Sequence, residues 1–225
     1  MALKELAFTF HEMQDYAASE KVLREAMEIL GEYYGHASEQ YAACLTDLAR
    51  LCIFQDKFSE AEFYIAESLE LVFGLPLIEQ RAYLAACINL SKLQRLQKDF
   101  DAAEKSLETA REKAYQVVGE NHRMYASLLH HLGEVYWNQN RISDAERTIR
   151  DSLRIYNKMS HTESADYAMA MSLLGILFDI QGKREQAWTC QTEAFNVLNR
   201  IRPENHPNVE TVKLRISALN EAGGR

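Results

Sequence analysis

The sequence predicts an all-α solenoid built from five helix hairpins and one terminal capping helix. A short segment that reads as a turn followed by a helix start recurs every 42 residues, beginning at Gln55, Gln97, Gln139 and Gln181. Apolar residues within each copy follow the three- and four-residue steps of an amphipathic helix. Only three prolines and nine glycines interrupt the 225 residues, which favours long helices over a turn-rich β fold.

Alignment of the chain at this period shows positions that keep one kind of side chain. A leucine column is followed directly by a column of small residues, which holds Ala7, Ala49, Ser91, Gly133 and Gly175. Small side chains allow two helix backbones to approach closely, and a larger group there would overpack the contact by about 1–3 kcal/mol. Because one hairpin cannot bury both of its apolar stripes, neighbouring hairpins must stack.

These columns resemble the tetratricopeptide repeat. In the fourth copy the matching residues are Leu132, Gly133 and Tyr136 in the first helix, and Ala145 and Ser152 in the second. The period of 42 residues is similar to the kinesin-light-chain type of repeat rather than to the form of about 34 residues. The resemblance implies a right-handed solenoid in which the first helix of each hairpin lines a concave face.

We expect the hairpins to occupy five consecutive ranges, namely 1–35, 36–77, 78–119, 120–161 and 162–203. A final helix over 206–221 keeps the repeat phase at Ile216 and Ser217 but has no partner helix. It is therefore expected to be the polar terminal cap that solenoids need. These elements are predicted to form a single domain over residues 1–221.

Composition argues against several classes of partner and location. The formal charge of −8 offers no phosphate-neutralising surface, so nucleic acid is not expected as a partner. No apolar run reaches the roughly 20 residues of a membrane span, and Lys4 and Glu5 lie where a signal peptide would be apolar. The four cysteines form no CxxC pair, which favours a reducing, cytoplasmic location.

Candidate ligand contacts lie on the first helices, one helical step from the packing columns. Three of them, Arg50, Lys92 and Arg95, place positive charge in an otherwise acidic protein. A cationic, partly aromatic groove suits an extended peptide that carries carboxylates and an apolar anchor, although these charges could also serve only solubility. The full predicted set is Arg50, Phe54, Asn89, Lys92, Arg95, His130, His131, Glu134, Trp137, Asn138 and Met169.

Two specific binding modes of the family fit this sequence poorly. The clamp that grips a C-terminal carboxylate would need lysine and asparagine at Thr46 and Arg50, and lysine and arginine at Ser127 and His131. The kinesin-light-chain groove uses recurring asparagines in one column, where this chain has Asp47, Asn89, His131 and Leu173. Since Asn89 is the one match in either pattern, neither mode is expected here.

The fifth hairpin departs from the repeat. Trp188 replaces a glutamate, and Gln191 stands in a column that is otherwise leucine or isoleucine. Trp188 either packs beneath the terminal helix or joins Phe195 in an apolar patch that binds a partner or a second copy of the chain. Self-association through this hairpin is therefore a possible outcome.

No group of residues indicates catalysis, a cofactor or a metal. Adjacent helical residues such as His130 and His131 point about 100° apart, so they cannot easily share one ion. We therefore expect a non-enzymatic scaffold that binds a peptide or a partner segment in its concave groove. The alternative is a regulatory or sensor subunit whose solenoid changes conformation when it binds a peptide or a partner enzyme.

Overall fold

The computed structural model describes residues 2–76, 81–204 and 206–223. Regular structure in this described part is helical, and the successive hairpins are α1 (Ala2–Glu12) with α2 (Tyr16–Tyr34), α3 (Glu39–Phe54) with α4 (Phe58–Phe73), α5 (Arg81–Leu96) with α6 (Phe100–Val117), α7 (Arg123–Asn138) with α8 (Ile142–Lys158), and α9 (Ala165–Ile180) with α10 (Arg184–Ile201). The terminal helix is α11 (Pro207–Gly223). The predicted all-α hairpin fold is confirmed, while the expected boundary at residues 77 and 78 lies outside the described residues.

The chain forms two compact units, residues 1–119 and residues 120–225. Unit 1 contains the first three hairpins, and unit 2 contains the last two hairpins and α11. Each unit has its own set of helix-to-helix contacts. The predicted single domain over residues 1–221 stays a prediction.

One residue in the turn of every hairpin adopts the left-handed backbone conformation. These residues recur every 42 positions with φ between 57° and 74°, and they are Gln14, Asp56, Lys98, Asn140 and Gly182. Only the last is glycine, the residue that reaches this region without steric cost. The recurring turn segments of the sequence therefore encode one repeated backbone geometry.

First helices begin at side chains that accept a backbone N–H. Ser38 Oγ accepts from Tyr41 N, and Ser164 Oγ accepts from Tyr167 N, both at 3.3 Å. The same repeat position holds a histidine twice, and its Nδ1 accepts at 3.1 Å in His122 and in His206. Such caps satisfy amide groups that have no partner inside the helix, so they fix where α3, α7, α9 and α11 start.

The small-residue column lies where the two helices of a hairpin cross. A Cβ atom at Gly133 would be 2.6 Å from Ile149 Cδ1, and one at Gly175 would be 2.7 Å from Gln191 Nε2. Ala49 and Ala61, which take part in the same kind of crossing in unit 1, are fully buried. The predicted packing role of this column is confirmed, because its positions have no room for a larger group.

Candidate functional site

The exposed side of the first helices in unit 1 combines apolar and cationic groups. This first-helix face consists of Phe8 on α1, Arg50 and Phe54 on α3, and Lys92 and Leu96 on α5. Phe54 and Leu96 are 51% and 54% exposed and occupy equivalent repeat positions on α3 and α5, which pack against each other. Exposed apolar side chains of this size beside cations are typical of a recognition surface.

Asp47 pairs with Arg50 of this face and with Lys4 of α1. Its carboxylate accepts a hydrogen bond from an Arg50 guanidinium nitrogen at 3.1 Å and lies 2.8 Å from Lys4 Nζ. The Arg50 guanidinium carbon is 6.0 Å from the centroid of the Phe8 ring. Arg50 keeps about a third of its side chain exposed, so it remains accessible to an anion.

An aromatic cluster packs against Phe54. The His11 ring meets Phe54 edge-on with centroids 4.6 Å apart, and it also neighbours Tyr16 at 5.7 Å and Phe8 at 6.5 Å. Sequence reasoning missed Phe8 and His11 as parts of this surface. Phe8 shares its repeat column with Arg50 and Lys92, and that alignment was the available signal.

Asn89 lies between helices rather than on the open face. It is buried, and its Nδ2 donates to the Thr46 carbonyl at 2.7 Å. The Lys4–Asp47 ion pair in unit 1 and the Arg215–Ser172 hydrogen bond in unit 2 join residues at the same 43-residue separation. The repeat position of Asp47, Asn89 and Arg215 therefore connects each of these helices to the preceding first helix. A ligand-binding role for Asn89 stays a prediction.

The histidine pair of unit 2 is also buried. His130 and His131 stack with ring centroids 4.9 Å apart, and His131 Nδ1 lies 2.8 Å from Glu134 Oε2. His130 shares its repeat column with Thr46 and Ser172, which in their hairpins contact the helix 43 residues further along the chain. Sequence spacing alone does not reveal that such columns are covered.

The other predicted contacts of unit 2 differ in exposure. Asn138 is exposed and its Nδ2 donates to the Glu134 carbonyl at 2.6 Å, whereas Trp137 and Met169 are half-buried. On α5 of unit 1, Lys92 and Arg95 are likewise half-buried. The roles of these side chains in ligand binding stay predictions.

A buried polar network in unit 2 was not predicted. Ser172 Oγ donates to Gln191 Oε1 at 2.7 Å, Gln191 Nε2 donates to the Ser172 carbonyl at 2.8 Å, and Arg215 donates to Ser172 Oγ at 2.6 Å. Burial lowers the pKa of the Arg215 guanidinium, and the nearby Glu134 carboxylate opposes this shift. The network explains why glutamine replaces an aliphatic residue at position 191, and that replacement was its signal in the sequence.

Other predicted features have a definite place in the fold. Trp188 is 45% exposed and Phe195 is half-buried. All four cysteines are buried and unpaired.

Across the described residues, no group of three or more histidine, cysteine, aspartate or glutamate side chains is arranged to hold a metal ion. Among the described helices, none has the length and apolar character that a membrane crossing needs.

Solved structures with the same fold include three at low sequence identity. BtubC (BKLC) from P. vanneervenii aligns with a TM-score of 0.70 at 16% identity, covering 95% of this chain and 84% of that one. A Podosopora anserina putative kinesin light chain with nearly identical TPR-like repeats aligns at 0.60 and 15% identity, covering 89% and 95%. NprR, in complex with its cognate peptide NprX, aligns at 0.76 and 14% identity, covering 98% of this chain and 62% of that one.

The sequence itself was compared with protein families and with curated proteins. No curated protein matches it significantly. The Tetratricopeptide repeat family matches residues 1–72 and 82–158, which is well over half of the chain. The protein therefore belongs to the tetratricopeptide repeat family, as its 42-residue columns predict.

Proposed function

We propose that the protein is a non-catalytic interaction scaffold whose first-helix face in unit 1 binds an extended, acidic peptide segment with an apolar anchor. Repeat solenoids of this family are protein-interaction architectures. The observation that carries the proposal is the exposed pair Phe54 and Leu96, set beside Arg50 and Lys92 on two adjoining helices.

The chemistry of this face favours carboxylates over other ligand groups. Arg50 is oriented by Asp47 and presents a planar guanidinium, which pairs well with a carboxylate. Arg50 and the two cations of α5, Lys92 and Arg95, provide positive charge on the helices that carry Phe54 and Leu96. Apolar side chains of the ligand would pack on Phe54 and Leu96, where burial contributes about 25 cal/mol per Å². NprR, a protein of similar fold, is described in complex with its cognate peptide, which supports a peptide as the ligand.

Charge reversal tests the proposal. Arg50→Glu with Lys92→Glu should abolish recovery of the partner when the protein is used as bait in a lysate of its source. Lys21→Glu with Lys105→Glu makes the same change in net charge at exposed positions of α2 and α6, and it should leave recovery intact. Equal recovery by both double variants, with helical circular dichroism unchanged, would refute the proposed site.

A sensor function is the second candidate. One protein of similar fold, from Pyrococcus horikoshii, is a STAND ATPase with a tetratricopeptide repeat sensor, aligned at a TM-score of 0.68 with 33% of its chain covered. A sensor must have different affinities for two conformations, so ligand binding must change its shape. Small-angle scattering with and without the bound peptide separates the candidates, since an unchanged radius of gyration argues for the fixed scaffold.

A further inference from the structure

One side of α4 in unit 1 combines exposed phenylalanines with exposed glutamates. This α4 face consists of Glu62, Phe63, Ala66, Glu70 and Phe73, all of which are exposed. Each step along an α-helix turns the chain by about 100°, which places these five residues within about 100° of one another around the helix axis. Phe63 and Phe73 are 62% and 84% exposed. Two large apolar side chains left open on one side of a helix are typical of an interaction surface.

Ion pairs do not balance the glutamates of α4 within the described part of the chain. The helix contains four glutamates and neither lysine nor arginine, and none of the four forms an ion pair with a described residue. In α8 of unit 2, by contrast, every acidic residue lies within 3.0 Å of an arginine. The α4 face therefore presents negative charge that no ion pair with a described residue compensates.

Comparison with the first hairpin shows which cations are missing around this face. Glu20 of α2 lies 2.8 Å from Arg24 and 3.6 Å from Lys57, a residue of the following turn. Glu62 is the repeat equivalent of Glu20. The positions equivalent to the two cations are Ala66 and Asp99. A glutamate that is neutralised in the first hairpin is therefore exposed, with no cation at either position, in the second.

Glu70 lies at the end of α4 that disfavours a negative charge. It is in the last turn, where the helix dipole destabilises an anion, and that turn contains no basic residue. Glu67, three residues earlier on the same helix, repels it further. Both effects are unfavourable in a single copy of the chain, and a cationic surface in contact with α4 would relieve them.

The first-helix face of the same unit has the opposite charge and a similar apolar content. It carries Arg50 and Lys92 beside Phe54 and Leu96, and these two apolar side chains are 51% and 54% exposed. Within one copy, Arg50 pairs with Asp47 of its own helix rather than with a glutamate of α4. One copy of the chain therefore presents two surfaces of complementary charge that do not neutralise each other.

We propose that the α4 face of one copy docks on the first-helix face of a second copy, so that the protein associates with itself head to tail. The inference rests on the proposed function, because it requires the first-helix face to prefer carboxylates that flank an apolar anchor. Glu62 and Glu70 lie about 12 Å apart along α4, with Phe63 between them. Since the two faces differ, each copy can contact two others. An acidic peptide competes with the α4 face for the same surface, so self-association occupies the peptide site until such a peptide displaces it.

Sedimentation velocity with charge-swapped variants tests the contact. Protein concentrations up to about 0.1 mM detect contacts with a Kd near that value. The mean mass of the wild type should rise with concentration at about 0.05 M NaCl and fall to that of a monomer at about 0.5 M, because salt screens exposed charges. Glu62→Lys with Glu70→Lys, and separately Arg50→Glu with Lys92→Glu, should each stay monomeric. An equimolar mixture of these two variants should associate again, since each reversed face meets its opposite on the other protein.

Matched controls make the same changes in net charge at exposed positions elsewhere. Glu185→Lys with Glu210→Lys, and Lys21→Glu with Lys105→Glu, should each associate like the wild type. A wild type that stays monomeric at low salt would overturn the proposal. So would a mixture of the two face variants that stays monomeric although both keep the helical circular dichroism of the wild type.

Titration of a labelled acidic peptide into the Glu62→Lys, Glu70→Lys variant separates this proposal from the proposed function. Peptide binding to that variant, together with a monomeric wild type, rejects the self-association and leaves the peptide site in place. Association that follows the charge swap, together with no peptide binding to any of the proteins, rejects the peptide function and leaves the contact between copies in place.

Discussion

Gly175 and Gln191 show how one hairpin combines two departures from the repeat. The glutamine amide occupies the space that a Cβ at position 175 would need, and it bonds to the buried Ser172. A buried amide is tolerated because both its oxygen and its nitrogen have partners. The glycine and the glutamine are therefore one packing solution rather than two independent changes.

Gly175→Ala should lower the free energy of unfolding by about 1–3 kcal/mol, because the new methyl group would lie 2.7 Å from Gln191 Nε2 and 3.1 Å from the Ala187 carbonyl. Urea denaturation measures the change. Gly74→Ala is the matched control, since no atom lies within 4 Å of its added Cβ. A loss for Gly175→Ala no greater than that for Gly74→Ala would contradict the packing described here.

The left-handed turn residues offer a gain in stability. Lys98 has φ of 65°, a conformation that costs an ordinary residue about 1–2 kcal/mol. Lys98→Gly removes this cost but makes the unfolded chain more flexible, so the net gain should be about 0.5–1 kcal/mol. Lys105→Gly, on an exposed position of α6, should instead lose about 1 kcal/mol. Thermal denaturation of both variants checks that their stabilities change in opposite directions. A loss of stability in Lys98→Gly would be inconsistent with the turn geometry.

At the scale of helices, Arg215 connects α11 to α9. Its guanidinium donates to Ser172 Oγ in a partly buried hydrogen bond, and a hydrogen bond from a charged group contributes about 1.5–3 kcal/mol. Arg215→Met should therefore lower stability by an amount in this range and increase hydrogen exchange along α11. Lys213→Met, two residues away and exposed, should change neither quantity by more than about 0.5 kcal/mol. Unaltered exchange in Arg215→Met would mean that this bond does not hold α11.

The helices and their crossings could be predicted from the sequence. The sequence did not reveal which columns of the first helices are covered by a neighbouring helix. The small column at Gly133 and Gly175 follows from period and size alone. Asn89 and His131 were expected on an open face, and both are buried. For Asn89 the cause is that α3 and α5, the first helices of adjacent hairpins, pack together. That contact depends on the angle between successive hairpins, which a 42-residue period does not specify. Arg50, Phe54 and Lys92 lie one step further round the helix and keep exposed or half-buried side chains.

For the whole molecule, the buried cysteines report on the stability of each unit. Cys44, Cys52 and Cys87 lie in unit 1 and Cys190 lies in unit 2. Each repeat contacts mainly its neighbours, so destabilisation is expected to remain local. Gly175→Ala should therefore speed the alkylation of Cys190 more than that of Cys87, as measured by pulsed labelling and peptide mass spectrometry. Equal acceleration at both cysteines would indicate that the two units unfold together.

The same thiols make stability fall at alkaline pH. Burial raises the pKa of Cys87 and of Cys190 from the ordinary 9.0 to about 11. Between pH 9 and pH 11 the folded protein therefore keeps these thiol protons while the unfolded chain releases them. The contribution of the two thiols to the free energy of unfolding is complete below pH 9 and is lost as the pH rises from 9 towards 11. Urea titrations at pH 8 and pH 10 should show this loss, and it should shrink in Cys87→Ala. A loss of the same size in Cys87→Ala would assign the effect to other groups.

The proposed recognition of acidic peptides is tested most directly by a binding titration. Labelled twelve-residue peptides, with aspartate and glutamate flanking a central leucine or phenylalanine, are titrated into the wild type and the Arg50→Glu, Lys92→Glu variant by fluorescence anisotropy. We expect saturable binding to the wild type that weakens at least about tenfold in the variant, since each 1.4 kcal/mol of lost interaction is a factor of ten. Binding that is equally strong in both proteins, or that prefers lysine-substituted peptides, would contradict it.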